Sequence, residues 1–411
     1  MNSVRSTPQN GLTLIVTGGE HLGVLAAVRA LREAGHAPWV AVHQRGSYAA
    51  RSRATAGVIE VPNPGADSSG FVKSLARAAE RIPAQVILPG TELGMVALAH
   101  HANAFPPGVA LGICSPTVVA NATDKSLLEG FVRAAGLSVP PTVEVNLEGV
   151  EDPLPFPYPV VVKPHRSELR GVDGVFRHFG ARRARSAKEL RAALAALPVR
   201  RGLVQPFLSG PLGSIAGVFW DGEMICAVQS RGDRLWPPYC GSMTYAETVP
   251  LNPRLVAAIG SLLQAVGWEG LFQVDFFEQS GEFVVIDLNP RFYTSLSIAT
   301  RAGMNLPGTW VDLLRGQVPH VPSSYRTDVR YRHDEKDIRS LMHMLIHGPR
   351  GAALKGFIPR RNTALAVFSL KDPWPVLTSL TRLVRYLTAT PVGKTPRSPG
   401  PIGAPTPKPE S

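Results

Sequence analysis

The residues best suited to chemistry cluster in one stretch, GLFQVDFFEQSGEFVVIDLNPRF, spanning 270–292. Its spacing predicts two strands, Leu271–Phe277 and Glu282–Leu288, around the turn Gln279-Ser280-Gly281. Every second side chain of a strand shares a face. Asp287 and Asn289 therefore point the same way, and Asp275 joins them if the register permits. Two carboxylates and an amide oxygen on one face repel or stay unsatisfied without a cation. Such hard oxygen ligands suit Mg²⁺, with Mn²⁺ as a substitute. Arg291 follows two residues on, where a guanidinium can neutralise a transferring phosphoryl group.

Two lysines complete the candidate set. Lys125 opens a helix whose start Thr123 or Asp124 can cap, and Lys163 closes the apolar strand VVVK. An ammonium finishing such a strand is costly to bury without an anion. Phosphate is one.

The elements that must position these residues fall into blocks. Leu12–Val16, Trp39–Val42 and Val86–Leu88 read as strands, with helical spacing from Leu22 to Ala34 and over Phe71–Arg81. That βαβ order predicts a parallel sheet covered by helices. The turn Thr17-Gly18-Gly19 lacks a strict GxGxxG, and His43-Gln44-Arg45 supplies no acid for a ribose, so a nicotinamide dinucleotide is not expected. Glu92 lies where open α/β sheets keep ligands. From Thr123 the pattern changes to a capped helix, a proline-rich joint at Pro153–Pro159 and the strands Val160–Lys163 and Leu203–Phe207. A hairpin follows, turning at Asp221-Gly222. Beyond about residue 325 the chain reads as basic and helical, clearest at Ile338–Ile346 and Val376–Leu387. From about Ala389 it is rich in Pro, Gly, Ser and Thr and should be disordered.

Composition narrows the class. With 411 residues, 44% hydrophobic and 18% charged, the chain can bury several packed units. No apolar run is long enough for a membrane span. Cys114, Cys226 and Cys240 fit neither a disulfide framework nor a CxxC metal site, and the expected compartment is the cytoplasm. The net charge of +12 includes arginines around Arg182, Arg183 and Arg185, read as a solvated basic face. No nucleic-acid motif accompanies them.

The ordered set TDKSLLEGFVRAAGLSVPPT, PVVVKP, LVQPFLSG and VVIDLNPRF resembles the ATP-grasp superfamily. Within it the chain is most similar to carboxylate–amine ligases and carbamoyl-phosphate-synthetase-like proteins. The resemblance, which runs from about residue 11 to 316, implies a mixed α/β and α+β fold: a Rossmann-like domain over 11–113 and an ATP-grasp domain over 114–320 with a lid at about 157–208, after which the sequence pattern itself reads as a small basic helical extension over 321–388. A Pro-rich tail, 389–411, follows. It further implies that ATP lies between two subdomains, with Lys125 and Lys163 on its phosphates. Gln205, Phe207 and Leu208 at the hinge would meet adenine, and Asp275, Asp287 and Asn289 would hold Mg²⁺. Arg291 and Arg231 would stabilise the γ-phosphate and an acyl phosphate, and Gly241-Ser242 would shape the substrate pocket. Asp287 stands where the family usually has Glu, Pro206 replaces an acid frequent at the hinge, and the glycine-rich lid is at best Gly171-Val172-Asp173-Gly174. The implied activity is ADP-forming ligation of a small carboxylate to an amine, in a chain that can be a homo-oligomer. A nucleotide-binding module without catalysis and a carbamate- or bicarbonate-phosphorylating enzyme are the alternatives.

Overall fold

The computed structural model describes residues 11–150, 153–171, 174, 176–279 and 281–389. Val172 and Asp173 of the glycine-flanked turn, Ser280 and the tail from 390 lie outside them.

The N-terminal unit is a five-stranded parallel sheet in the order Gly57–Glu60, Ala37–Val42, Thr13–Thr17, Val86–Leu88, Ala110–Leu111. Helices Leu22–Glu33, Ser68–Arg81 and Glu92–His100 cover it. Alternation explains its two cores. Ile15 packs with Phe71 and Leu75 on one face. Leu14 and Val16 face the other side, in a core shared with Phe292 and Trp310 of the following unit. The edge strands escape a sequence reading because four and two residues carry too little periodicity.

That shared core brings Leu22–Glu33 tightly against the chain just after Arg291. A methyl group on Gly23 would stand 2.7 Å from the Tyr293 carbonyl oxygen. Gly23→Ala is therefore expected to lower stability by about 1–3 kcal/mol, read from the urea midpoint. An unchanged midpoint would mean the two units do not press together here.

The second unit opens with helix Pro116–Thr123, capped by Ser115, and helix Lys125–Ala134, capped by Asp124. A four-stranded antiparallel sheet follows in the order Arg182–Ala184, Val160–Lys163, Arg201–Pro206, Val143–Asn146. The small hairpin Glu168–Arg170 with Phe176–His178 stands beside it.

The large sheet has seven strands: Glu282–Asn289, Gly270–Gln279, Leu212–Trp220, Glu223–Trp236, Ser242–Val249, Arg330–Arg332 and Thr363–Leu365. Helix Pro253–Val266 buries Leu255, Ile259, Leu262 and Leu263 against Ile215, Phe272, Val274 and Phe276 on one face. The residues of chemical interest come from the other face.

The C-terminal region carries the expected helices and is also joined to the rest of the fold. It is mostly helical, but Arg330–Arg332 and Thr363–Leu365 belong to the large sheet itself. Asp337, fully buried on helix Asp334–His347, accepts from Arg234 at 2.7 and 2.9 Å and pairs with Arg332 at 2.8 Å. Asp372 binds Arg29 at 2.8 Å and Ser52 at 2.6 Å, tying the same region to the N-terminal unit. Three-residue strands read as loops in a sequence, so their role emerges only once the sheet is assembled.

Candidate active site

The hairpin register places Asp275 directly opposite Asp287 and Gln273 opposite Asn289. A bulge follows immediately between Asp275 and Phe276, so the facing pair precedes the shift. Cross-strand neighbours on one face approach to about 5 Å at Cβ, close enough for one cation to touch both carboxylates. The Asn289 amide donates to Asp275 Oδ2 at 3.4 Å. Asp275 Oδ1 is buried with no partner, an expense a native structure rarely leaves without a reason. Burial, reinforced by Asp287, pushes Asp275 up to about 7.

Lys125 supplies the counter-charge, with its ammonium 2.5 Å from Asp287 Oδ1 and 3.4 Å from the Ser167 hydroxyl. Burial alone would raise Asp287, but Lys125, Lys163 and Arg291 outweigh it and hold the carboxyl below its usual range. Lys163 is buried and donates to the Ile286 carbonyl at 3.1 Å. Burial, helped by Lys125, lowers it to about 8. Its hydrogen-bond partner is a carbonyl, while Asp287 and Glu129 act on it only as nearby charges.

These groups line one cavity of about 370 Å³ between the four-stranded and seven-stranded sheets. Lys125, Lys163, Asp275, Asp287, Asn289 and Arg291 all border it, and Arg291 donates to the Phe292 carbonyl at 3.2 Å. Gln205 borders it from the strand Arg201–Pro206, and Phe207 and Leu208 from the segment joining the sheets. The Gln205 amide donates to Thr142 Oγ1 at 2.8 Å. Gly241 and Ser242 also lie on its wall. Among the described residues no group of three or more His, Cys, Asp or Glu side chains is placed to hold a metal. The oxygen donors here are two carboxylates and an amide, a set that suits a cation sharing its shell with phosphates and water.

Arg231 is not brought to this cavity. Ser230 is in register with Ser214, which faces Asp275, and the two serine hydroxyls lie 2.9 Å apart. Arg231, one residue on, therefore belongs to the opposite face, where it is exposed and 3.8 Å from Asp233. The nearby Arg234 is committed to Asp337 and stacks on Tyr245 at 4.0 Å.

Two wall residues, Lys336 and Gln273, and Arg183 packed on the wall rings carried no usable sequence signal. Arg183, read as part of a solvated face, sits between the rings of Phe207 and Tyr239 at 4.6 Å from each. Lys336 reaches the cavity from the C-terminal helix and donates to Ser242 at 3.2 Å. Gln273 is buried opposite Asn289. Their partners are distant in sequence, so only assembly brings them here. Glu92, buried at the start of helix Glu92–His100, is raised by burial and partly restored by Arg291 and Lys125.

Residues 199–337 match the family described as ATP-grasp in the biosynthetic pathway with Ter operon. Comparison with curated proteins finds no match. Among solved structures, L-amino acid ligase from Bacillus licheniformis is similar at TM-score 0.58 and 16% identity, covering 75% of each chain. Biotin carboxylase from Campylobacter jejuni, in a beta-gamma-ATP complex, gives 0.57 and 16%, covering 77% of this chain and 74% of that one. N5-carboxyaminoimidazole synthetase from Staphylococcus aureus, complexed with ADP, gives 0.58 and 14%, covering 80% and 83%. No helix among the described residues is long and apolar enough to cross a membrane. A parallel α/β unit leads into two sheets that flank a cavity of lysines and carboxylates, and the chain therefore has the ATP-grasp fold that its ordered motifs imply.

Proposed function

We propose that this protein is an ATP-dependent ligase that phosphorylates a small carboxylate and transfers the acyl group to an amine, releasing ADP and phosphate. The observation that carries this reading is the facing pair Asp275 and Asp287, with one buried oxygen unpartnered beside two lysines and Arg291. Asp275, Asp287 and Asn289 are the residues that would hold Mg²⁺, which when bound shields the charge between the nucleotide's terminal phosphates and the attacking carboxylate.

The chain's own groups do the rest. Lys125 neutralises Asp287 before nucleotide arrives and turns its ammonium to the phosphates afterwards. Lys163, already buried, would exchange its carbonyl partner for a phosphate oxygen. Arg291 stabilises charge on the transferring phosphoryl group. The strand residue Gln205, with Phe207 and Leu208, borders the adenine end, and Arg183 covers that end by stacking on Phe207. The substrate carboxylate attacks the γ-phosphorus, the bond to the bridging oxygen breaks, and ADP leaves. Positioning and charge neutralisation suffice for this step. One of the similar structures is a ligase of L-amino acids, a name that fits the same chemistry.

Incubating the protein with Mg²⁺-ATP, mixed carboxylic acids and hydroxylamine tests the reading. ADP and a hydroxamate should form together and only with the acid present. AMP as product would exclude the acyl-phosphate route. Saturable ATP binding without any ADP would leave a nucleotide-binding module.

A further inference from the structure

The charge of this chain is unevenly placed. The 74 residues from Ile338 onward hold eleven lysines and arginines against Asp372 and Glu410, and so carry nine of the twelve net positive charges. From Ile338 to Lys371 there are six cations and no acidic residue. The fold turns the first part of this stretch into a helix pair, Asp334–His347 followed by Arg350–Phe357. The two helices meet where Leu341 fills the space that a side chain on Gly356 would need.

Each helix buries one face and leaves an apolar one uncovered. Asp337, Ser340 and Leu341 point inward from the first helix, and Ala353 from the second. Ile338, Met342 and Ile346, four residues apart, share the outer face of the first. Leu354 and Ile358 repeat that spacing on the second helix and at its end. All five are 49–66% exposed, whereas large apolar side chains on a globular surface normally stand singly. None of them borders either the large cavity or the smaller one beside the parallel sheet. At the start of the first helix Asp334 accepts from the backbone N–H groups of Val367 and Phe368 at 2.7 and 2.8 Å. That contact brings the exposed Phe368 and Leu370 to the same helix. Arg350, Lys355, Arg360 and Arg361 are exposed too, and form no ion pair among the described residues.

Charge decides what can cover this face. A symmetric second copy would set these cations against themselves, because the same patch is used twice. The segment from 390 is also basic, with Lys394, Arg397 and Lys408 against Glu410. Neither complements the face. An anionic lipid surface does: its headgroups pair with lysine and arginine, and the boundary below them accepts apolar side chains that stand out as ridges.

We propose that this helix pair is a docking surface for anionic membrane, on which the exposed apolar side chains enter the lipid boundary and Arg350, Lys355, Arg360 and Arg361 pair with headgroups. The contact does not depend on the reaction catalysed. Because the first helix also carries Lys336 to the large cavity, a docked chain holds that cavity close to the lipid.

Co-sedimentation of the full chain with phosphatidylcholine vesicles, with and without phosphatidylserine, tests this. Binding should require phosphatidylserine and weaken as salt rises through the physiological range. Each charge removed should weaken it about fivefold, so Arg350→Gln, Arg360→Gln and Arg361→Gln together should cost about 10²-fold. Ile346→Ser with Ile358→Ser should weaken it about tenfold at unchanged charge. Both sets change exposed positions, so the urea midpoint should match the wild type, which separates lost docking from lost folding. Equal binding to neutral vesicles, no binding, or binding that neither set weakens overturns the membrane face. If no vesicle binds, sedimentation equilibrium identifies the occupant instead. A dimer that Ile346→Ser with Ile358→Ser dissociates assigns the face to a second copy, and a monomer assigns it to an acidic protein.

Discussion

Asp287→Ala should reduce acid-dependent ADP formation by about 10²–10³-fold, equivalent to about 3–4 kcal/mol of barrier. The residue does two things at one position. It contributes one of the two facing carboxylates, and it balances Lys125 at 2.5 Å. Alanine removes an oxygen donor and leaves Lys125, Lys163 and Arg291 around an uncompensated space. Asp287→Asn retains an oxygen and should keep part of the activity, which separates loss of ligation from loss of charge. The measurement is ADP release with mixed acids, beside a circular dichroism spectrum showing a folded chain. Wild-type ADP release from folded Asp287→Ala would remove the metal assignment.

The second large effect concerns stability. Asp337 is fully buried beneath Arg234 and Arg332, whose side chains are only 13% and 15% exposed, and it also accepts from Thr244 at 3.2 Å. Removing one member of such a group strands the others: Asp337→Ala leaves two guanidiniums facing each other with no anion. The expected loss is about 3–5 kcal/mol, read from urea denaturation. The damage should centre on Arg330–Arg332 and the helix Asp334–His347, where amide exchange should accelerate first. Because that helix carries Lys336 to the large cavity, the apparent affinity for ATP should fall as well. A loss under about 1 kcal/mol, the scale of exposed pairs, would mean that water, not Asp337, satisfies the arginines.

The part of the candidate site visible in sequence rests on local periodicity. Asp287 and Asn289 share a face because strand side chains alternate, whatever the rest of the fold does. Lys163 was marked by the apolar strand it ends, and Lys125 by the capped helix it starts. The parallel N-terminal unit followed from apolar runs alternating with helical spacing. Each of these signals lies within a few turns or one strand, and each survives folding.

The remainder depended on register and assembly. Asp275 meets Asp287 only because the bulge falls after their pair and not before it. Arg231 fails by one residue of parity, since Ser230 takes the face shared with Asp275 across three strands. Arg183 looked like one solvated arginine among several until Phe207 and Tyr239 arrived from distant segments. Two three-residue strands were too short to declare themselves, yet they bring the C-terminal region into the large sheet. Glu20 and Glu168 share a cavity only through the docking of the small hairpin over the parallel sheet. Composition and local periodicity thus determined the longer elements and marked the carboxylates, amide and lysines of the candidate site. Tertiary structure alone decided which side chains face one another, because facing is set by register, bulges and long-range packing that no local pattern encodes.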